Sequence, residues 1–229
     1  MVGDSKEMIN NKQWYRLKNT ITLITIFITI LLFWITVDSL ISKGTFYYLD
    51  YVFNDFEKLV ANPIVTVFMT IILMSFDKYF TWAIPGAILF YLLFKKEWWS
   101  ILALFLSIGG GEIMMSHLKN FFQRWSPMMQ IIEGRGYSFP SGHAFYAMLV
   151  YGFMIYLAEE FIKSNRLKSF IFLLCSLLIL LVGMSLISLN KHWFTEVFAG
   201  YCAGFSWLLI SILLIKIIRY FCEAEGVER

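Results

Sequence analysis

SFIFLLCSLLILLVGMSLISLN, residues 169–190, carries no charged side chain. A helix needs about 20 mostly apolar residues to cross the hydrocarbon core of a bilayer, and this stretch is long enough. Working outward, the chain repeats the pattern. Thr20–Val37 has no charge, Trp98–Leu118 is interrupted by Glu112, Phe139–Ala158 begins with a short polar motif, and Val197–Ile215 closes the series. The middle decides the count. Leu59–Phe76 and Tyr79–Phe94 are both uncharged, with only Asp77 and Lys78 between them. Two residues are too few to join two full spans in a hairpin. Leu59–Phe76 also contains Pro63, so Tyr79–Phe94 is taken as the span. Residues 45–76 interleave aromatic and acidic side chains and are expected as helices lying in the outer interface.

The expected fold is therefore an all-α membrane protein, six transmembrane helices in a bundle, with short interfacial helices between the first and second spans. Charged residues make up 15% of the chain, against about 25% in soluble domains. The net charge of +3 is small and dispersed, which argues against nucleic acid as a partner. The N-terminal stretch is polar and is followed by a long apolar run without a small-residue cleavage site, so it is read as a first anchor rather than a cleavable signal. Cys175, Cys202 and Cys222 show no paired or metal-like spacing and are read as packing residues.

Six spans put both termini on one side. With that side cytoplasmic, Lys6, Lys12, Arg16, Lys18, Lys95, Lys96, Lys163, Arg166, Lys168, Lys216, Arg219 and Arg229 face inward, leaving seven of nineteen Lys and Arg outside. Residues 1–44 are then the cytoplasmic N-terminus and first span, 45–217 a membrane domain, and 218–229 a cytoplasmic tail. The expected location is the cell membrane, in a multi-pass arrangement.

The polar residues gather at the outer ends of the later spans. EIMMSHLKNFFQRWSP ends the third span, FPSGHAF begins the fourth, and SLISLNKHWFTEVFAG joins the fifth and sixth. Ionisable groups at membrane depth are costly, so a functional role is the default there. Glu112, Ser116 and Lys119 share one helical face, where an internal Glu–Lys pair is the plainer alternative. Gly109–Gly111 suits close helix approach. Pro140 fits a first helical turn, which leaves the Ser141 and Gly142 N–H groups at a helix N-terminus, an anion-binding position. His143 can give or take a proton near neutral pH. His192 and Glu196 are four apart, a spacing at which a carboxylate can fix an imidazole tautomer and free its other nitrogen as a nucleophile.

Together these pieces resemble the type 2 phosphatidic acid phosphatase superfamily of membrane lipid phosphatases, whose motifs run K-x6-RP, PSGH and SR-x5-H-x3-D. Here Lys119 is followed by Pro127, Pro140–His143 is intact, and Ser185 is followed by His192 and Glu196. The resemblance extends over roughly residues 45–217, and GYSFPSGHA is similar to bacterial phosphatases of phosphatidylglycerol phosphate or undecaprenyl pyrophosphate. It implies His192 as the nucleophile that becomes a phosphohistidine, Glu196 as its orienting acid and His143 as the proton donor. It implies Lys119, Ser141, Gly142 and Ser185 as phosphate ligands, a lipid phosphate as substrate, and no metal or other cofactor; the span count puts the site on the outer face.

Three positions depart from the family pattern. Ser126 and Leu186 stand where it has arginines, and Glu196 where it has aspartate. Arginine forks bind phosphate in two places, and losing one such donor typically costs ~10²–10³ in rate. Candidates to compensate are Arg124, which matches the first arginine of the RPRP form of some bacterial members, and Arg135, Lys191 and His117. For each of these taken singly, an interfacial cation meeting lipid headgroups is the plainer reading. Two functions follow: a lipid phosphatase, or a family member that binds, carries or transfers lipid-phosphate groups without fast hydrolysis.

Overall fold

A computed structural model describes the backbone except at residues 1, 60–61, 77, 125–136 and 228–229, and side chains outside 1–16, 18, 54–61, 77–81, 125–136 and 224–229. Ser126, Pro127 and Arg135 thus lie outside the described residues. The described residues form helices and their connections: α1 (Val2–Ser42), α2 (Thr45–Leu59), α3 (Pro63–Met74), α4 (Lys78–Lys95), α5 (Trp98–Phe122), α6 (Gly142–Phe161), α7 (Asn165–Ser188) and α8 (Phe194–Val227).

Within the described residues, Asn19–Ser42, Trp98–Phe122, Gly142–Phe161, Asn165–Ser188 and Phe194–Glu223 are long and apolar enough to cross a membrane. The expected second span is α4, whose stretch Trp82–Lys95 is apolar but shorter and contains Pro85. Pro63, which argued against a span over Leu59–Phe76, stands at the start of α3. Asn62 caps α3 by accepting from the Ile64 N–H at 2.9 Å, and Pro63 occupies the first turn, where its missing N–H costs nothing.

α8 is the axis of the bundle. It packs against α1, α2, α5, α6 and α7, while α6 also meets α4, α5 and α7. One apolar cluster joins α1, α5, α6 and α8 through Phe33, Leu104, Phe145, Leu149 and Leu208. A second joins α3, α6 and α7 through Leu73, Phe76, Tyr151, Ile179 and Leu186. The opposite faces of α1, α3 and α7 expose Phe27, Leu31, Ile64, Ile71, Leu173 and Leu180, as lipid-facing helices do.

Glycines bring the axis close to its neighbours. A Cβ on Gly200 would stand 2.6 Å from the Ser141 carbonyl oxygen, and one on Gly204 would stand 2.7 Å from the Phe145 carbonyl oxygen. These two positions, four apart on α8, let it seat directly on the first turns of α6. Of the run at 109–111, Gly110 and Gly111 serve close approach, against Trp207 and Leu149, and Gly109 faces open space. Cys175 and Cys202 are packed inside as expected, but Cys222 is exposed near the end of α8.

Candidate active site

Four helix ends converge at one end of the bundle: the C-termini of α5 and α7 and the N-termini of α6 and α8. The start of α6 differs from the sequence expectation. Pro140 precedes the helix, after a cis peptide bond, instead of occupying its first turn. Ser141 is the N-cap, and its hydroxyl accepts from the Ala144 N–H at 3.5 Å. The Ser141 N–H donates to the Glu196 carbonyl at 3.0 Å, so this donor ties α6 to α8. Gly142 and His143 are then the first two helical residues, ahead of the first intrahelical bond, from the Phe145 N–H to the Ser141 carbonyl. The Lys119 Nζ reaches this point from α5, 3.6 Å from where a Cβ on Gly142 would be. An ammonium and a helix N-terminus thus share one small space.

The turn between α7 and α8 aims the second histidine. Asn190 takes a left-handed conformation, φ 52°, and the Leu186 carbonyl accepts from the N–H groups of Lys191 and His192 at 3.0 and 3.2 Å. His192 therefore sits on the bend before α8, not on the helix itself. It still meets its expected partner, with His192 Nδ1 2.7 Å from Glu196 Oε2. Glu196 is fully buried. Ser138 adds a third member: its hydroxyl donates to Glu196 Oε2 and lies 3.1 Å from His192 Nδ1. The His143 and His192 rings lie across the gap from each other, their centroids 6.5 Å apart and their planes tilted by 58°.

Arg124 belongs to this cluster. It follows Gln123, whose left-handed φ of 48° ends α5. Its Nη1 donates to Thr195 Oγ1 at 2.9 Å and lies 3.8 Å from Glu196 Oε1; its Nη2 donates to Asp50 Oδ2 at 3.1 Å. The guanidinium also lies 6.0 Å from the centre of the Trp193 ring. This is a buried-side network, which replaces the headgroup-facing role the sequence favoured for Arg124. Beside it, Val37, Leu40, Ile41, Tyr47, Phe122, Phe139 and Arg124 line a cavity of about 330 Å³.

Asp50 had no motif to announce it. It lies on α2, 2% exposed, and accepts from the Thr195 N–H and hydroxyl at 2.8 Å each. Burial pushes its carboxyl above the ordinary carboxylate range, against the Thr195 donors and the Arg124 charge, which pull it down. Aromatic pairs hold α2 in place here. Phe53 stacks on Phe194 at 4.3 Å, and Phe46 lies 5.6 Å from Phe198. Ser138 and Thr195 were likewise unmarked, although Ser138 stands just before the FPSGHA run.

The remaining expected members make other contacts. The Ser185 hydroxyl donates to the Val182 carbonyl of its own helix at 2.7 Å. Leu186 is fully buried in the apolar cluster with Ala144 and Val197. His117 and Lys191 are exposed. Glu112 accepts from the Tyr146 hydroxyl of α6, which replaces the Glu112–Lys119 pair considered from the sequence.

Residues 98–219, just over half of the chain, match the PAP2 superfamily. The chain belongs to the PAP2 superfamily. The matched segment holds Lys119, Arg124, the Pro140–His143 run, His192 and Glu196, and leaves out Asp50. The chain is similar to phosphatidylglycerophosphatase B of Bacillus subtilis (strain 168), with 27% identity over 125 residues, 54% of this chain and 60% of that protein. This PAP2 chain also shares its fold with two solved structures. One is the first transmembrane PAP2 type phosphatidylglycerolphosphate phosphatase from Bacillus subtilis, at a TM-score of 0.70 and 22% identity, covering 86% of this chain and 96% of that one. The other is LpxE of Aquifex aeolicus, at a TM-score of 0.53 and 22% identity, covering 72% and 93% respectively.

Proposed function

We propose that this PAP2 protein is a membrane lipid phosphatase that removes phosphate from a lipid phosphate or pyrophosphate through a phosphohistidine on His192. The observation that carries the reading is the pairing of His192 with buried Glu196 at 2.7 Å, opposite His143 and the Lys119-flanked start of α6. Glu196 accepts the Nδ1–H of His192, which leaves the Nε2 lone pair for phosphorus. As the N–P bond forms, the P–O bond to the lipid breaks, and His143 gives its proton to the departing oxygen. Water then attacks phosphorus, the N–P bond breaks, and His143 takes the proton of that water. Lys119, the N–H groups at the start of α6 and Arg124 would hold the phosphoryl oxygens.

Glutamate in place of the family aspartate suits this geometry, since it reaches His192 from the first turn of α8 while its other oxygen faces Arg124. The substrate class proposed is a phosphate carried on apolar chains. The cavity beside Arg124, walled by Val37, Leu40, Ile41, Phe122 and Phe139, supports that class. Phosphatidylglycerol phosphate is the first substrate to test, from the name of the Bacillus subtilis relative. The positive residues Lys95, Lys96, Lys163 and Lys168 lie in or beside the two turns at the end of the bundle opposite the site. This supports a cytoplasmic location for that end and an outward-facing site.

The test is phosphate release from phosphatidylglycerol phosphate by detergent-purified protein without added metal. Wild type should release phosphate and His192→Ala should not. Equal, slow release by both would sink the phosphatase reading in favour of a lipid-phosphate binder.

A further inference from the structure

We propose that Asp50, on the interfacial helix α2, is a positioning residue that sets the guanidinium of Arg124 for the phosphate site and keeps it off Glu196. The inference rests on the phosphatase reading for its kinetic test, and on geometry for the rest.

Three elements meet at Asp50. Its Oδ1 accepts the Thr195 N–H, and its Oδ2 accepts both the Thr195 hydroxyl and Arg124 Nη2. Thr195 Oγ1 in turn accepts from Arg124 Nη1. The carboxylate, the threonine and the guanidinium therefore close a ring of hydrogen bonds, with the last residue before Glu196 as its hinge. The ring uses two of the five guanidinium N–H donors. The side chain keeps 24% of its surface exposed, which leaves it a face for phosphate oxygens.

The position of Glu196 explains why the ring matters. Its Oε2 is engaged by His192 and Ser138, whereas its Oε1 is buried without a hydrogen-bond partner. Arg124 Nη1 stands 3.8 Å from that oxygen, beyond the ordinary 2.7–3.2 Å of an N–H···O bond. A buried, unpaired carboxylate oxygen so near an arginine would normally draw it into a two-armed pair. Asp50 and Thr195 hold the guanidinium back. Were it to close on Glu196, it would compete with His192 for the carboxylate and turn away from the substrate.

Asp50→Asn separates the two duties of the side chain. Its amide oxygen can still accept the Thr195 N–H, but its NH2 then points donors at the donors of Arg124. The experiment is a double-mutant cycle with Asp50→Asn and Arg124→Gln in full-length protein, read in two ways. The first is kcat/KM for phosphatidylglycerol phosphate. The second is the affinity for orthovanadate, a phosphate mimic, followed by its protection against thermal unfolding. Asp50→Asn should lower kcat/KM and vanadate affinity by about 10–100-fold, the range known for residues that orient metal ligands, with unfolding of the unliganded protein recorded so that lost stability is counted separately. In the Arg124→Gln background the same change should cost less than about twofold.

Additive losses in both measurements would overturn the proposal, because a residue that only supports the fold costs the same in either background. Asp50→Asn within twofold of wild type would overturn it too. Coupling in vanadate affinity, with His192→Ala as active as wild type, would retain the positioning role and refute the phosphatase reading instead.

Discussion

Arg124→Gln tests whether one arginine has taken over from two. The guanidinium lies 3.8 Å from Glu196 Oε1 and donates to Thr195 at 2.9 Å and to Asp50 at 3.1 Å. At an effective dielectric constant of about 20, a unit charge at that distance stabilises the carboxylate by about 4 kcal/mol before desolvation. Hydrogen bonds to charged groups contribute about 1.5–3 kcal/mol each. These terms act on the resting site, and only the part that grows as charge develops on phosphate enters the rate. Removal of one such donor typically costs ~10²–10³ in turnover. Arg124→Gln should therefore lower kcat/KM by about that factor. Arg124→Lys keeps the charge and loses the fork, and should fall about tenfold. Phosphate release is measured on the monodisperse fraction of each variant, with unfolding temperature recorded beside it. If Arg124→Gln keeps activity within threefold of wild type while His192→Ala is inactive, the guanidinium plays no part in catalysis and the compensation argument is wrong.

Two further substitutions probe the frame of the site. Gly200→Ala places a methyl 2.6 Å from the Ser141 carbonyl, so α6 and α8 must separate; we expect a loss of about 1–3 kcal/mol in stability and ~10²-fold in activity. Gly109→Ala meets nothing within 4 Å and should be neutral or stabilising by about 0.5–1 kcal/mol in the same thermal-unfolding and activity assays, and an equal loss in both variants would refute the packing argument. Leu186→Arg restores the family residue but puts a charge into a fully buried apolar position. It should cost about 1–3 kcal/mol of stability in overpacking alone, read as a lower unfolding temperature, and bring no gain in rate. A faster enzyme with unchanged unfolding would show that the side chain reaches the phosphate.

The spans were legible because bilayer length and apolar composition leave few alternatives, and Pro63 spoke against a span over Leu59–Phe76, where the structure starts α3. His192 and Glu196 were legible from spacing, although the reason they meet is a bend at Asn190 rather than a shared helix face. The start of α6 was placed three residues early, since apolar character continues through Phe139 and Pro140 while the cap is Ser141. Asp50 could not be read. Its partners are 74 and 145 residues away, and an acidic residue on an aromatic-rich surface helix looks like any solvated one. Leu186 was legible as an arginine lost, but not as a position walled by apolar neighbours.

The ring around Asp50 also orders events during synthesis. Asp50 leaves the ribosome well before Thr195, its partner 145 residues later. At about 5–20 residues per second, the interval is roughly 7–30 s. An unpaired carboxylate is costly in hydrocarbon, so until its partners are made α2 is expected at the aqueous surface; Arg124 is synthesised before Thr195. Helix α8 then acts as a clasp as well as a span: its insertion delivers Thr195, Glu196 and the aromatic seat for α2 together. A nascent chain lacking α8 would carry its acid and its arginine with no ring to close.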